Sequence, residues 1–199
     1  MQQTGDGGYI VTGETRSFGA GEGDFWVLKL RPDGTVEWQK TYGGVDSDRP
    51  FSIQQAGDGG YIVAGETWSF YAGEGDAWVL KLEPDGTVEW QKTYGGGSYD
   101  NTHFIRQTDD GGYIAAGYTA SFGAELPDLW VLKLRPDGSI TPSCYIMFDT
   151  GVSGKDSSAT VKTAAVSVRD SNASPQDSSA TAHDTNAPTH ILCPSTAAE

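Results

Sequence analysis

QQAGDGGYIVAGETWSFYAGEGDAWVLKLEPDGTVEWQKTYGG, residues 54–96, has near-copies 52 residues away on either side. QQTGDGGYIVTGETRSFGAGEGDFWVLKLRPDGTVEWQKTYGG occupies 2–44, and RQTDDGGYIAAGYTASFGAELPDLWVLKLRPDG occupies 106–138. Tyr9, Tyr61 and Tyr113 keep the interval without a slip, as do Trp26, Trp78 and Trp130. A fixed period of this length marks a repeat architecture, in which each unit buries its apolar face against the next.

Within the central copy, Asp58-Gly59-Gly60 is a tight-turn signal, because glycine supplies the positive φ that such turns require. GGYIVAGET then offers β-branched and small residues, and DAWVLKL alternates Trp78, Leu80 and Leu82 against Val79 and Lys81. That alternation predicts a half-buried strand. Pro84-Asp85-Gly86 is a second turn, with the proline pre-setting φ. TVEWQKTYG gives a third strand, and THFIRQ, after a Gly/Ser/Asp loop, gives a fourth. No segment shows apolar spacing near 3.6, so helix is not expected. Four short antiparallel strands in about 50 residues predict an all-β fold of β-propeller-like blades.

The motifs D-G-G-Y-I-[VA]-[TA]-G, D-x-W-V-L-K-L-x-P-D-G and V-E-W-Q-K-T-Y-G-G resemble the β-propeller repeats of secreted bacterial and archaeal proteins, over residues 2–144. The stretch from the second strand through P-D-G to W-Q-K is also distantly similar to quinoprotein-type blades. In that family, enzyme-specific residues and a metal site bind the quinone, and no such set stands in this chain. The resemblance implies a scaffold, with no cofactor and no reaction.

The repeats divide as about 2–53, 54–105 and 106–144, within a first region of 1–144. The chain opens part-way through a unit, since Met1 stands where Ile53 and Ile105 stand later. The third copy departs after Gly138: Pro142 takes the place of Trp38 and Trp90, and proline cannot donate to a ladder, so the strand ends there or lies at an edge. Incomplete sheet at both ends predicts an incomplete ring that other polypeptide must cover. Further blades, a second subunit or the C-terminal segment could supply it.

Residues 145–199 form a low-complexity tail bracketed by Cys144 and Cys193. A seven-residue period runs from Asp149 to His190: DTGVSGK, DSSATVK, TAAVSVR, DSNASPQ, DSSATAH, DTNAPTH. Pro175 and Pro188 exclude a coiled coil. The composition suits a Ser/Thr-rich stalk, or an extended segment that donates strands to an unfinished sheet, in its own chain or a neighbour. Two cysteines flanking such a segment predict one disulfide in an oxidising compartment, hence an extracellular or cell-surface setting.

The formal net charge of −14 repels phosphate backbones, so nucleic acid is not an expected partner. No apolar run approaches the ~20 residues of a membrane-spanning helix. Asp24, Asp76 and Asp128 each stand two residues before a tryptophan. They are read as structural turn carboxylates, as are Asp6, Asp58 and Asp110 in the Asp-Gly-Gly turns. Calcium would need six to eight oxygens and a D-x-D-x-D-G-like run, which is absent, so no metal is expected. Glu14 and Glu66 give way to Tyr118 in the third copy, and no serine or cysteine accompanies a repeated base, so no catalytic residue is assigned. Trp38, Trp90, Tyr42 and Tyr94 belong to the repeated strands and are read as inter-blade core. Trp68 and Tyr71 stand where Arg16 and Gly19 stand in the first copy and Ala120 and Gly123 in the third, so the blade does not demand them. They are the candidate binding residues, for a glycan or a protein. The sequence thus predicts a non-enzymatic extracellular repeat protein that forms a homo-oligomer or filament, with a glycan- or protein-binding module as the alternative.

Overall fold

A computed structural model describes residues 1–70, 74–122 and 127–140, together with the backbone of two short strands at 155–156 and 160–163. Thirteen strands follow one another: β1 (Gln2–Gln3), β2 (Tyr9–Thr15), β3 (Asp24–Leu30), β4 (Val36–Gly43), β5 (Asp48–Gln55), β6 (Tyr61–Thr67), β7 (Asp76–Leu82), β8 (Val88–Tyr94), β9 (Phe104–Gln107), β10 (Tyr113–Thr119), β11 (Asp128–Leu134), β12 (Lys155–Asp156) and β13 (Thr160–Thr163). No helix occurs among the described residues. The strands form three antiparallel sheets, ordered β1-β2-β3-β4-β13, β5-β6-β7-β8-β12 and β9-β10-β11. None of them closes on itself. The fold is an open run of β-propeller blades.

Each hairpin is built by its turn. In the Ala56–Gly60 turn, Gly59 has φ of 88°, and Asp58 Oδ1 accepts a hydrogen bond from Gly60 N at 2.9 Å. A Cβ on Gly60 would overlap the Leu82 carbonyl oxygen, so glycine alone lets the incoming strand lie this close to β7. Lys81 then locks the turn from the strand interior. Its buried Nζ lies 2.7 Å from Asp58 Oδ2 and 3.0 Å from Glu89 Oε2, joining the first turn to β8. Lys29 repeats the pairing with Asp6 at 2.7 Å, and Lys133 with Asp110 at 2.8 Å. The lysine hydrogen bond, helped by Thr4, holds the Asp6 carboxyl well below the usual carboxylate range.

The sequence repeat and the sheet are out of step by one strand. THFIRQ supplies β9, which pairs with β10 (Tyr113↔Gln107 through Ala116↔Phe104) and not with the sheet of the unit before it. Likewise β5 pairs with β6, so the central sheet starts at Asp48. Crossing from one sheet into the next at this strand stitches neighbouring blades together covalently. A second difference concerns DAWVLKL, where all seven residues of β7 are buried instead of alternating. The reason is position: β7 lies in the middle sheet and is covered on both faces, whereas β3 and β11 alternate.

Two apolar joints hold the three sheets together. The first gathers Ile10, Phe25, Val27 and Tyr42 against Tyr61, Val63, Trp78, Leu80 and Leu82. The second gathers Ile62, Ala64, Ala77, Val79 and Tyr94 against Tyr113, Ala115, Trp130, Leu132 and Leu134. Their polar contacts are copies of each other. Trp38 Nε1 donates to Pro84 O at 3.1 Å and Tyr42 OH to Gly86 O at 2.6 Å. Trp90 Nε1 donates to Pro136 O at 3.1 Å and Tyr94 OH to Gly138 O at 2.6 Å. The ring of Trp38 meets Tyr61 at 5.8 Å and that of Trp90 meets Tyr113 at 5.9 Å, both edge-on.

Two strands from the C-terminal segment, β12 and β13, pair at sheet edges. β13 pairs with β4 (Thr160↔Gly43 through Thr163↔Lys40), and β12 pairs with β8 (Lys155↔Thr93, Asp156↔Lys92). In the third copy Ile140 bridges Leu134, and Pro142 lies outside the described residues. Cys144 and Cys193, with the disulfide expected of them, also lie outside them.

Trp78, fully buried in the first joint against Phe25 (4.7 Å) and Phe70 (5.3 Å), fixes the expected sensitivity of the fold. Trp78→Ala should cost about 3–5 kcal/mol in urea denaturation, because the rigid sheets on both sides cannot collapse into the space. A loss under about 1 kcal/mol would contradict this packing.

Candidate functional site

Every strand hairpin places its Asp-Gly-Gly and Pro-Asp-Gly turns at one end of the sheets and its long loops at the other. Among the described residues, the loop end carries 16–23, 44–47, 68–70, 74–75, 95–103, 120–122 and 127. Two buried carboxylates organise it. Asp48 accepts from Thr67 Oγ1, from Gly44 N at 2.8 Å and from Ser69 Oγ at 2.8 Å. Asp100 repeats this with Thr119 Oγ1, Gly96 N at 2.8 Å and Ser121 Oγ at 2.6 Å. Burial pushes the Asp48 carboxyl up, against the pull of its hydrogen bonds from Thr67, Gly44 and Ser69. These two braces are absent from the sequence reading, although their 52-residue interval was there to be seen.

Asp24 is buried beside this brace, and its Oδ2 accepts from Ala20 N at 2.8 Å within the β2–β3 loop. Asp76 holds the same buried place in the second blade, and Asp128 is half-buried in the third. Gly43 fits between Asp24 and Asp48, and Gly95 between Asp76 and Asp100, where any Cβ would strike a carboxylate. Asp6, Asp58 and Asp110 each accept from the second glycine of their turn. Among the described residues, no group of three or more His, Cys, Asp or Glu side chains is arranged to hold a metal ion.

Trp68 leads to a connected cluster. It is 37% exposed and stacks on Tyr99, with centroids 5.7 Å apart and planes 26° from parallel. The Tyr99 hydroxyl donates to Glu66 Oε2, and Asn101 Nδ2 donates to the Tyr99 hydroxyl at 3.4 Å. Glu66 is only 2% exposed, and its other oxygen lies 3.5 Å from Arg49 Nη1. Arg49 Nε in turn faces Glu14 Oε2 at 3.5 Å, and Glu14 Oε1 holds Arg16 at 2.7 Å. The rings continue from Tyr99 to Tyr118 (5.5 Å), His103 (5.7 Å) and Phe51 (4.6 Å). Tyr71 lies outside the described residues.

The aromatic chain crosses from the second sheet to the third, so Tyr99 and His103 act as a hinge-pin between blades as well as a surface. Glu66 is already engaged by Tyr99 and Arg49 and cannot reach a ligand unless Tyr99 moves. What the cluster offers outward is the exposed part of Trp68 and the exposed Arg16 and Arg49 side chains. Sequence reasoning found Trp68 by its absence from the other copies. Tyr99, one of the aromatics able to stack on a sugar or a protein partner, carries the same signal but was not singled out: Ser47 stands at its place one repeat earlier.

The family model described as "Domain of unknown function (DUF5122) beta-propeller" matches residues 56–89. That stretch runs from the Asp-Gly-Gly turn through β6 and β7 to the Pro-Asp-Gly turn, the segment that makes one side of each joint. No curated protein matches the chain. No helix among the described residues is long and apolar enough to cross a membrane.

Tyr99→Phe should destabilise the protein by about 1–3 kcal/mol, since it strips a donor from a buried carboxylate. Trp68→Ala should cost less than about 1 kcal/mol, as expected at a partly exposed loop position. Urea midpoints that reverse this order would mean that Trp68, and not the Glu66–Tyr99 pair, holds the loops. Burial pushes the Tyr42 and Tyr94 phenols far above their ordinary range, and burial with Glu66 does so for Tyr99. A raised folded-state pKa contributes stability that is complete below the unfolded value and lost above it. Stability should therefore fall as the pH rises past about 10, where unfolded phenols ionise. Tryptophan fluorescence against urea at pH 8 and pH 11 measures it, and equal midpoints would refute it.

Proposed function

We propose that this chain is a non-enzymatic structural repeat protein of the cell surface or extracellular space, which works by associating into larger assemblies. One observation carries the reading: the polar residues repeated from blade to blade are engaged in turns and loops, while the outermost sheets present apolar side chains. Asp6, Asp24, Asp48, Asp58, Asp100 and Asp110 accept backbone or hydroxyl hydrogen bonds, and Lys29, Lys81 and Lys133 pair with turn carboxylates. Phe104, Ile114 and Leu129 are exposed at the third sheet, and Tyr9 and Phe18 at the first. Large apolar patches on soluble domains mark surfaces of association. The tail supports the same role, because β12 and β13 add strands to β8 and β4, and strand addition of this kind also joins separate chains. The oxidising setting rests on pairing of Cys144 with Cys193.

A second reading, a glycan- or protein-binding module, is favoured by Trp68, which is 37% exposed while stacked on Tyr99. Stacking of a sugar on such a ring is a common mode of recognition.

Sedimentation velocity of the purified 21.2 kDa chain over a hundredfold range of concentration separates the two. Mass-action growth into species of two or more chains is expected. A single monomeric species throughout, with glycan binding abolished by Trp68→Ala, would replace the structural role with the binding one.

A further inference from the structure

The two joints differ from the outer faces of the end blades only in what covers them. On the first sheet, Tyr9, Trp26, Leu28 and Leu30 lie on the face away from β5–β8, one repeat before Tyr61, Trp78, Leu80 and Leu82. Tyr61 and Trp78 are buried in a joint, whereas Tyr9 is exposed and Trp26 is half-buried. The turn glycines record the same vacancy. A Cβ on Gly86 would meet the Trp38 ring at 3.0 Å and one on Gly138 the Trp90 ring at 2.8 Å, but Gly34 has open space. The first blade thus presents the Tyr9, Trp26, Leu28 and Leu30 side of a joint with no described sheet against it.

The third blade presents the other half. Ile114 is 42% exposed and Leu129 78%, where their equivalents Ile62 and Ala77, and Ile10 and Phe25, are wholly buried. Phe104, 71% exposed, lies on the same face through its register with Ala116. Between them opens a cavity of about 540 Å³, lined mainly by His103, Phe104, Ala116, Tyr118 and Leu129, with Asp128 at its rim. Its place is that of the first joint's core, where Phe25, the equivalent of Leu129, packs on Trp78 at 4.7 Å. Tyr118 also occupies the position that carries Glu14 and Glu66 in the other blades, so this face is the more apolar version of theirs.

We propose that the cavity on the third blade receives the first blade of a second copy of this chain, with Trp26 and Phe18 seated as Trp78 and Phe70 are seated in the first joint. This rests on the self-associating function above and names the surfaces it uses. Continuity with the established joints identifies the occupant: the two exposed faces are the two halves of a contact the chain already makes twice. Phe18 and Trp26 are already paired at 6.0 Å, close to the 5.3 Å of Phe70 and Trp78. Because the two faces are unlike, the contact is heterologous and propagates head to tail, closing as a ring of blades or continuing as a fibre. Each copy brings a charge of −14, so association strengthens as salt screens the repulsion.

The test uses two full-length variants. Leu129→Asp spoils the receiving face and Tyr9→Asp the inserting face, and Phe18→Glu replaces the latter if Tyr9→Asp fails to fold by circular dichroism. Each variant alone should lose roughly tenfold or more in association by sedimentation velocity. A 1:1 mixture should recover one intact joint and form dimers that grow no further. If wild type associates and the variants associate equally well, or if their mixture stays monomeric, the head-to-tail joint is wrong although self-association stands. If wild type is monomeric at all concentrations and at 0.05 and 0.5 M salt (values bracketing a Debye length of ~10 Å), both fall.

Discussion

The structure depends on the packing of one sheet face against the next through Trp78 and its copy Trp130. A single antiparallel sheet of four strands has two faces and cannot bury both, so it is marginal alone. The joints resolve this by giving the middle sheet a partner on either side and each outer sheet a partner on one. Phe25 and Phe70 close on Trp78, and Trp38 and Tyr42 reach over the edge to the carbonyls of Pro84 and Gly86. Those hydrogen bonds set the distance between sheets, because the indole and phenol span a fixed length. At Gly86 and Gly138 the Pro-Asp-Gly glycine is then required twice, for its positive φ and to admit the tryptophan ring.

The asymmetry of the blades follows. The middle sheet is covered on both faces and is buried along β6 and β7 from end to end. The outer sheets use the same residues with one face uncovered, so identical sequence gives different burial. Lys29, Lys81 and Lys133 show what this does to charge: all three pair with a turn aspartate, but Lys29 and Lys81 lie beneath a neighbouring sheet, and Lys133 is more open. The cost of burying the ammonium groups is offset by short contacts to carboxylates at the rim.

Much of this was legible in the sequence, because repetition supplies its own alignment. The Asp-Gly-Gly and Pro-Asp-Gly turns, the strands between them and the inter-blade role of Trp38, Tyr42, Trp90 and Tyr94 could be read from spacing and turn chemistry. What could not be read was where a sheet begins, since a period of 52 residues has no origin. THFIRQ follows one unit in the chain, yet its backbone pairs with the next. The burial of both faces of β7 was also hidden, because alternation encodes one covered face and says nothing of a second sheet. At the loop end, the sequence singled out Trp68 but gave no sign that Tyr99 and Glu66, 33 residues apart, are joined beneath it. That pairing arises only when two sheets are brought face to face.

Hydrogen–deuterium exchange resolved by strand addresses the joint as the source of stability most directly. Amides of β6 and β7 should be the slowest to exchange, with β2–β3 and β10–β11 faster, because the outer sheets open by breaking one joint and the middle sheet only by breaking two. Equal protection across the three sheets, or slower exchange in β10–β11 than in β6–β7 in dilute protein, would contradict it.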